Sequence, residues 1–225
     1  MARYTRLQVL NTILDIGLVP VFYDPDIEVA KKVARACLEG GCRLLEFTNR
    51  GDHAAEVFSS LELYCRKELP ELVLGVGSVL DPYTAGIYIN AGANFVVGPL
   101  LNSEVARICN RRKIPYSPGC GSATEISQAE ELGCEIIKIF PGAEVGGPSF
   151  VKAILGPCPW VSMMPTGGVE CTEASLKAWF GAGVVAVGVG SNLIRKDLLK
   201  AGNYAGLTDV VKQTLALIQG VRAKK

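Results

Sequence analysis

The sequence predicts an α/β protein with the (β/α)8 architecture of a TIM barrel and an extra N-terminal helix. Short runs rich in Val, Ile and Leu alternate with longer amphipathic stretches, as the strands and crossover helices of a parallel sheet do. Eight such pairs follow one another without a linker, a charge block or a low-complexity segment. We therefore expect residues 1–225 to form a single barrel domain, with residues 5–16 as a capping helix across its bottom.

The first half of the chain contains four of the predicted strand–helix pairs. The strands are expected over 18–23, 42–48, 72–77 and 94–97. Asp26 is placed to cap a helix over 27–38, and Gly40-Gly41 ends it, because glycine lets the backbone turn away from the helix axis. The next three helices are expected over 52–67, after Asp81-Pro82, and from a cap at Ser103.

The second half repeats the pattern, with strands expected over 114–117, 135–140, 160–164 and 184–189, of which the first is weak. Helices are expected over 122–132, 149–155 and 172–180, with further helical segments to the end. An open doubly wound sheet is the alternative arrangement. No GxGxxG or GxxxxGK[ST] motif follows the first strand, and Gly75-Val76-Gly77 is only a fragment of one, which favours the barrel.

Composition excludes several functional classes. With 23 basic and 22 acidic side chains the net charge is +1, so nucleic acid and anionic membranes are not expected partners. The single histidine, His53, excludes a catalytic zinc site built from several histidines. The eight cysteines form no CxxC pair, no secretory signal follows the amino terminus, and no apolar stretch reaches the length of a membrane span. A reducing cytoplasmic setting is therefore expected.

Two charged residues interrupt strands that are otherwise apolar. Lys138 lies between isoleucines in the predicted strand 135–140, and Glu46 follows two leucines in 42–48. Lysine and glutamate are rarely buried without a partner, so a structural ion pair between them is one explanation. The other is that burial keeps the Lys138 amine partly neutral, so that it forms a Schiff base with a ketone while Glu46 moves protons. A close approach of the two side chains fits both explanations.

Other candidate residues follow the predicted strands, where barrels place their functional groups. Arg50 follows the second strand, and a guanidinium there suits a substrate carboxylate, although a solvated loop arginine is as common. Gly167-Gly168 and Gly190-Ser191 follow the last two strands, whose loops often bind phosphate through backbone N–H groups. His53 is expected to be solvated at a helix terminus, and Cys120 to be structural.

Six short motifs then suggest a family. They are Leu45-Glu46-Phe47-Thr48-Asn49-Arg50, Gly75-Val76-Gly77-Ser78-Val79-Leu80, Pro118-Gly119, Lys138-Ile139-Phe140-Pro141, Pro165-Thr166-Gly167-Gly168-Val169 and Gly190-Ser191. In this order and spacing the chain resembles the class I 2-keto-3-deoxy-6-phosphogluconate (KDPG) aldolases, which overlap with the 4-hydroxy-2-oxoglutarate (KHG) aldolases. The resemblance runs from about Val19 to Leu193.

The resemblance implies a (β/α)8 barrel, usually a homotrimer, that cleaves a phosphorylated keto-sugar acid into pyruvate and glyceraldehyde 3-phosphate without a metal or cofactor. By the resemblance, the site residues are Lys138 as the Schiff-base lysine, Glu46 as the proton-transferring residue, Arg50, Thr166, Ser78 and Phe140 as substrate-binding residues, and Gly167, Gly168, Gly190 and Ser191 as the phosphate site. Ser78 stands where many members have threonine, and it keeps the hydroxyl.

The departures from the family surround the mouth of the predicted barrel. Asn49 replaces a residue that is usually apolar, and Gly51-Asp52-His53 and Cys120-Gly121-Ser122 differ from the common turns. These departures leave undetermined which aldehyde the enzyme releases. Cleavage of KHG or of the galactonate counterpart of KDPG therefore stays an alternative. A barrel that binds phosphorylated metabolites without aldol chemistry, as an isomerase or a sensor, is the alternative from another class.

Overall fold

A computed structural model describes residues 2–223, and its elements follow the predicted order. The strands within that range are β1 (Leu18–Phe22), β2 (Leu44–Thr48), β3 (Val73–Gly77), β4 (Val96–Val97), β5 (Tyr116–Ser117), β6 (Gly119–Cys120), β7 (Ile137–Ile139), β8 (Met163–Pro165) and β9 (Val187–Val189). The helices are α1 (Arg6–Ile16), α2 (Ile27–Glu39), α3 (Ala54–Glu68), α4 (Pro82–Asn90), α5 (Ser103–Arg112), α6 (Ala123–Glu131), α7 (Gly147–Leu155), α8 (Glu173–Ala182), α9 (Lys196–Lys200) and α10 (Tyr204–Arg222).

The strands form a curled parallel sheet in two parts. One part has the order β5-β4-β3-β2-β1-β9, and the other has the order β6-β7-β8. Glu46 lies beside Gly75 in the first part, and Lys138 lies between Gly119 and Met164 in the second. Every strand residue is buried, as in parallel sheets that are covered on both faces, which explains why the strands are mostly apolar apart from a few polar residues such as Glu46 and Lys138.

The two parts of the sheet approach each other at both ends. Only Pro118 separates β5 from β6; it has no N–H to donate, and its carbonyl accepts a hydrogen bond from the Lys138 N–H at 3.0 Å. At the other end Thr166 forms a parallel bridge with Gly188, and the Val185 N–H donates to the carbonyl of Met163 at 3.0 Å. Of the fifth predicted strand, 114–117, only Tyr116–Ser117 is a strand, and β6 lies just beyond it; β8 and β9 are neighbours.

The extra N-terminal helix is present where the sequence predicts it. Thr5 caps α1 with its side chain, and Gly17 ends the helix with a φ of 72°, a conformation that glycine adopts without strain. Arg6 hydrogen-bonds to Glu135 and to Asn110, both at 2.7 Å. Because Glu135 lies two residues before β7, α1 lies at the amino end of the strands.

The starts of α3 and α5 differ from the prediction. Asn102, not Ser103, caps α5, since its side chain accepts the N–H groups of the first turn and Ser103 is already helical. Helix α3 begins at Ala54 rather than at residue 52, because His53 has a φ of 60° and cannot continue a right-handed helix. The Asp26 cap and the Gly40 end of α2 are confirmed.

The side chains between the sheet and the helices form one large apolar cluster. All eight cysteines are free thiols, and six of them, including Cys120, are buried as small apolar residues. Among residues 2–223, no helix has the length and apolarity that crossing a bilayer would require.

Candidate active site

A cavity of about 530 Å³ opens at the carboxyl ends of the strands. Its lining includes seven of the ten site residues expected from the sequence: Arg50, Phe140, Thr166, Gly167, Gly168, Gly190 and Ser191. They come from the loops after β2, β7, β8 and β9. Because parallel strands all end at the same edge of the sheet, residues far apart in the chain meet there.

Lys138 is the central residue of β7 and is only 4% exposed. Strand side chains alternate in direction, so Lys138 points the opposite way from its two isoleucine neighbours. Its Nζ lies 4.8 Å from the centroid of the Phe140 ring, whose residue lines the cavity. Burial lowers the pKa of the amine below its usual value; Glu46 opposes that shift and Arg50 adds to it. The amine is therefore biased toward its neutral, nucleophilic form.

Glu46, in β2, is 1% exposed. Burial raises the pKa of this carboxyl, against the smaller opposing effects of Lys138 and Arg50. Its Oε2 has no hydrogen-bond partner. Within the described residues, no carboxylate oxygen lies within 4.0 Å of Lys138 Nζ, so the structural ion pair considered from the sequence is not formed.

Glycines on neighbouring strands leave the room that these polar groups occupy. A Cβ atom on Gly77 would lie 1.8 Å from Glu46 Oε1, and one on Gly188 would lie 2.3 Å from Thr166 Oγ1. Any larger residue at either position would displace the polar side chain. The two glycines therefore fix where the carboxylate and the hydroxyl stand.

Unpaired polar atoms surround the cavity. Besides Glu46 Oε2, the hydroxyls of Thr48 and Thr166 are buried and have no hydrogen-bond partner. Arg50 is exposed at the mouth, and its Nε donates to Ser78 Oγ at 3.3 Å. Buried polar groups normally find partners, so this concentration of unpaired ones indicates that a polar ligand completes the site.

The two glycine loops form one unit. Gly167 and Gly168 have φ values of 92° and 71°, in the left-handed region that favours glycine. Asn192 Nδ2 donates to the carbonyl of Val169 at 2.8 Å and so ties the loop after β9 to the loop after β8. The backbone N–H groups of Gly168 and Ser191 donate to no other group among residues 2–223, which leaves them available for an anion.

The remaining expectations from the sequence can be placed as well. Glu46 and Lys138 do not line the cavity themselves; Lys138 contacts Phe140, which does, and Ser78 is connected to the lining through Arg50. The His53 side chain is 77% exposed and lies 3.0 Å from Glu56, so the solvated position is confirmed. The Cys120 thiol is buried, and burial raises its pKa to about 12, which fits a structural role.

Sequence reasoning missed several residues of the cavity. Phe22 and Tyr23 line it at the end of β1, and Asn192 and Lys196 line it after β9. The first two stand at the end of a predicted strand, so their position was a usable signal. No comparable signal identified Asn192 and Lys196, because only the three-dimensional path of the loop brings them to the cavity.

Comparison with known proteins agrees with this geometry. The family model for KDPG and KHG aldolases matches residues 9–210. A 2-dehydro-3-deoxy-phosphogluconate aldolase of Treponema pallidum is 33% identical over 203 residues, covering 90% of this chain and 94% of the relative. The KHG/KDPG aldolase of Escherichia coli K12 is 31% identical over 206 residues, covering 91% and 94%. The crystal structure of KDPG aldolase from Legionella pneumophila, with pyruvate captured as a covalent carbinolamine, has a TM-score of 0.82 at 28% identity and covers 90% and 96%. The chain belongs to the KDPG and KHG aldolase family.

Proposed function

We propose that the protein is a class I, Schiff-base aldolase that cleaves KDPG to pyruvate and glyceraldehyde 3-phosphate. The observation that carries the proposal is Lys138, an amine that is buried, has a lowered pKa and makes no ion pair within 4.0 Å in the described chain. A lysine in that state is a nucleophile toward a ketone. The named activities of the relatives and the covalent pyruvate in the Legionella structure support the same chemistry.

The first half of the reaction builds the electron sink. Lys138 Nζ adds to the C2 ketone, and loss of water from the carbinolamine gives an iminium ion. Glu46, directly or through a water molecule, then takes the proton of the C4 hydroxyl. The C3–C4 bond breaks, its electron pair moves into the iminium to form an enamine, and the aldehyde leaves. Because burial raises the pKa of Glu46, its carboxylate is a stronger base than an exposed one.

The second half regenerates the enzyme. The enamine takes a proton at C3, for which the protonated Glu46 is the donor, and water hydrolyses the resulting iminium to release pyruvate. The proton taken in the first half is thereby returned. The iminium serves as the electron sink, so the proposal requires neither a metal nor a cofactor.

The other residues bind the substrate in this proposal. Arg50, with Ser78 and Thr166, binds the C1 carboxylate, since a guanidinium and two hydroxyls supply donors at the mouth. Phe140 covers the lysine amine. The free N–H groups of the two glycine loops bind the phosphate at the far end of the substrate.

Reduction with borohydride in the presence of pyruvate tests the proposal. Borohydride converts an imine to a stable secondary amine, so peptide mass spectrometry is expected to locate a pyruvyl adduct on Lys138. Lys138→Met is the matched variant and should give no adduct while remaining folded, because no ion pair is lost. Absence of an adduct in the wild-type protein, or an adduct that persists in Lys138→Met, contradicts the proposal.

KHG is the second candidate substrate, because the E. coli relative is named for both activities. KHG lacks a phosphate, so the free N–H groups of the glycine loops favour KDPG. Comparing kcat/KM for KDPG, its galactonate counterpart and KHG ranks the three.

We also propose that the two sheet parts close into one (β/α)8 barrel, as a single domain. The Thr166–Gly188 bridge and the Pro118 junction support closure. A cytoplasmic location fits eight free thiols. The net charge of +1 again gives no reason to expect nucleic acid or membranes as partners.

A homotrimer is the proposed assembly. Leu80, Tyr83 and Ile87, on and beside α4, are more than half exposed, and Leu100 adjoins them because Asn102 hydrogen-bonds to the Leu80 carbonyl. Exposed apolar groups gathered in one place are typical of an interface between subunits. Light scattering that gives the mass of one chain would contradict the trimer.

A further inference from the structure

The cavity has a distinct charge distribution. Its lining contains two charged side chains among the described residues, Arg50 and Lys196, and both are cations. Arg50 follows β2, and Lys196 begins α9 after β9; in the sheet, β1 lies between β2 and β9. The two positive charges therefore stand on opposite sides of the loop that follows β1. Such an arrangement fits a ligand with an anionic group at each end.

Lys196 differs from the two basic residues that accompany it. The guanidinium of Arg195 is held by Asp197, with Nε–Oδ1 and Nη2–Oδ2 distances of 3.1 and 2.6 Å. Lys200, one turn further along α9, is exposed and does not line the cavity. Lys196 makes no ion pair in the described part of the chain, so its charge is not compensated by a carboxylate. Of the three, only Lys196 presents a free cation to the cavity.

We propose that Lys196 is a specificity-determining residue that binds the terminal phosphate of the aldehyde fragment. The inference rests on the proposed aldolase function and adds to it a side chain beyond the backbone site. Lys196 lines the cavity together with Ser191 and Gly168, whose N–H groups are free, and the Asn192–Val169 hydrogen bond ties the loop before Lys196 to the loop of Gly168. Backbone N–H groups supply partial charges, whereas an ammonium supplies a full one to a group that carries close to two negative charges.

The reverse, aldol reaction allows the contact between Lys196 and the aldehyde phosphate to be measured separately from the chemistry at Lys138. In the aldol direction pyruvate is held on Lys138, and the aldehyde is varied without changing that covalent step. Glyceraldehyde 3-phosphate and glyceraldehyde differ only by the phosphate. The ratio of their kcat/KM values therefore measures how much the phosphate contributes to binding in the transition state.

The test compares Lys196→Gln with Lys200→Gln, two changes that remove the same charge from the same helix. Lys196→Gln is expected to lower the ratio of kcat/KM for the phosphorylated over the unphosphorylated aldehyde by about tenfold or more, as expected for loss of a charge-assisted hydrogen bond. Lys196→Arg should keep most of the preference, and Lys200→Gln should keep all of it. A ratio that stays within about twofold of wild type in Lys196→Gln overturns the proposal.

Two further measurements distinguish an error about Lys196 from an error about the aldolase function. Glyoxylate has no phosphate and carries a carboxylate directly on the aldehyde carbon, so a loss for glyoxylate as large as that for glyceraldehyde 3-phosphate would overturn the assignment of Lys196 to phosphate. Borohydride trapping of pyruvate is run on the same variants. An adduct on Lys138 with an unchanged aldehyde ratio refutes only the role of Lys196, whereas no adduct even in the wild-type protein refutes the aldolase function itself.

Discussion

Glu46 and Glu62 are both almost fully buried, yet their surroundings are opposite. Glu62, at the amino end of the strands, is 2% exposed and pairs with Arg66 at 2.7 Å and with Arg3 at 3.7 Å. Glu46, at the carboxyl end, is 1% exposed and has an oxygen without any partner. Removing a carboxylate from water costs free energy that an ion pair offsets. Ion pairs offset this cost at Glu62, whereas no ion pair offsets it at Glu46 in the proposed substrate site.

The same contrast extends to the polar groups around each residue. At the amino end, Asn94 accepts the N–H groups of Arg3 and Tyr4 and donates to the carbonyl of Leu74. At the carboxyl end, the buried hydroxyls of Thr48 and Thr166 have no partners. The amino end leaves one buried polar atom, Arg3 Nε, without a hydrogen-bond partner, whereas the carboxyl end leaves three, which fits a site that a ligand completes.

The largest expected effect separates the two glutamates by activity. Glu46→Gln should lower kcat for KDPG cleavage by about 10²–10⁴-fold, because general acid–base catalysis is lost. Glu62→Gln should leave kcat within about twofold, since Glu62 lies at the other end of the strands. Steady-state kinetics on both variants is the measurement. Equal losses of kcat in the two variants would show that the unpaired state of Glu46 does not mark it as a catalytic residue.

A smaller effect on activity is expected from Gly77→Ala, which keeps the Glu46 carboxylate but changes its position. The new Cβ would stand 1.8 Å from Glu46 Oε1, so the carboxylate must move. Displacing a catalytic group by about an ångström costs on the order of a hundredfold in rate. Gly181→Ala in α8 is the control, because a Cβ there meets nothing within 4 Å. Unchanged kcat in Gly77→Ala would mean that the exact position of the Glu46 carboxylate does not matter.

Stability should respond in the opposite sense to activity. Glu62→Gln is expected to lower the free energy of unfolding by about 2 kcal/mol or more, because the buried ion pair loses its acid. Glu46→Gln is expected to raise it by about 1 kcal/mol at neutral pH, because a carboxylate held unpaired away from water is replaced by a neutral amide. Urea unfolding of the three proteins gives both values. Destabilisation by Glu46→Gln as large as that by Glu62→Gln would refute the contrast.

The gain from Glu46→Gln should also depend on pH. The folded pKa of Glu46 lies above its usual 4.5, so between those two values the native state holds a proton that the unfolded chain has released. Stability of the wild-type protein therefore falls as pH rises through that interval, and Glu46→Gln removes this contribution. The difference between the two proteins should be smallest at about pH 4 and should grow toward neutral pH.

Much of the fold and two of the central site residues could be predicted from the sequence. The repeated alternation predicted the order of strands and helices, and a charge inside an apolar strand identified Lys138 and Glu46. Strand ends were less predictable. The predicted strands 42–48 and 135–140 start two residues before β2 and β7, and Arg43 and Glu135 in those extra segments are exposed.

Other features depend on contacts between distant residues. The pairing of Glu62 with Arg3 could not be assigned, because Arg3 is far from it in the chain and most arginines are exposed. The lack of an ion pair between Lys138 and Glu46 is a matter of distance across the sheet, which no spacing in the sequence encodes. Lys196 belongs to the same class, since its loop reaches the cavity only through the fold.

The hydrogen bond from Asn192 to the Val169 carbonyl has a consequence for the thermodynamics of binding. Two separate loops would each lose conformational freedom when they close on an anion, and that ordering would be subtracted from the affinity. Because Asn192 joins them, the ordering takes place once, when the chain folds. The anion then meets a preorganised surface, and more of the interaction energy is expressed as affinity.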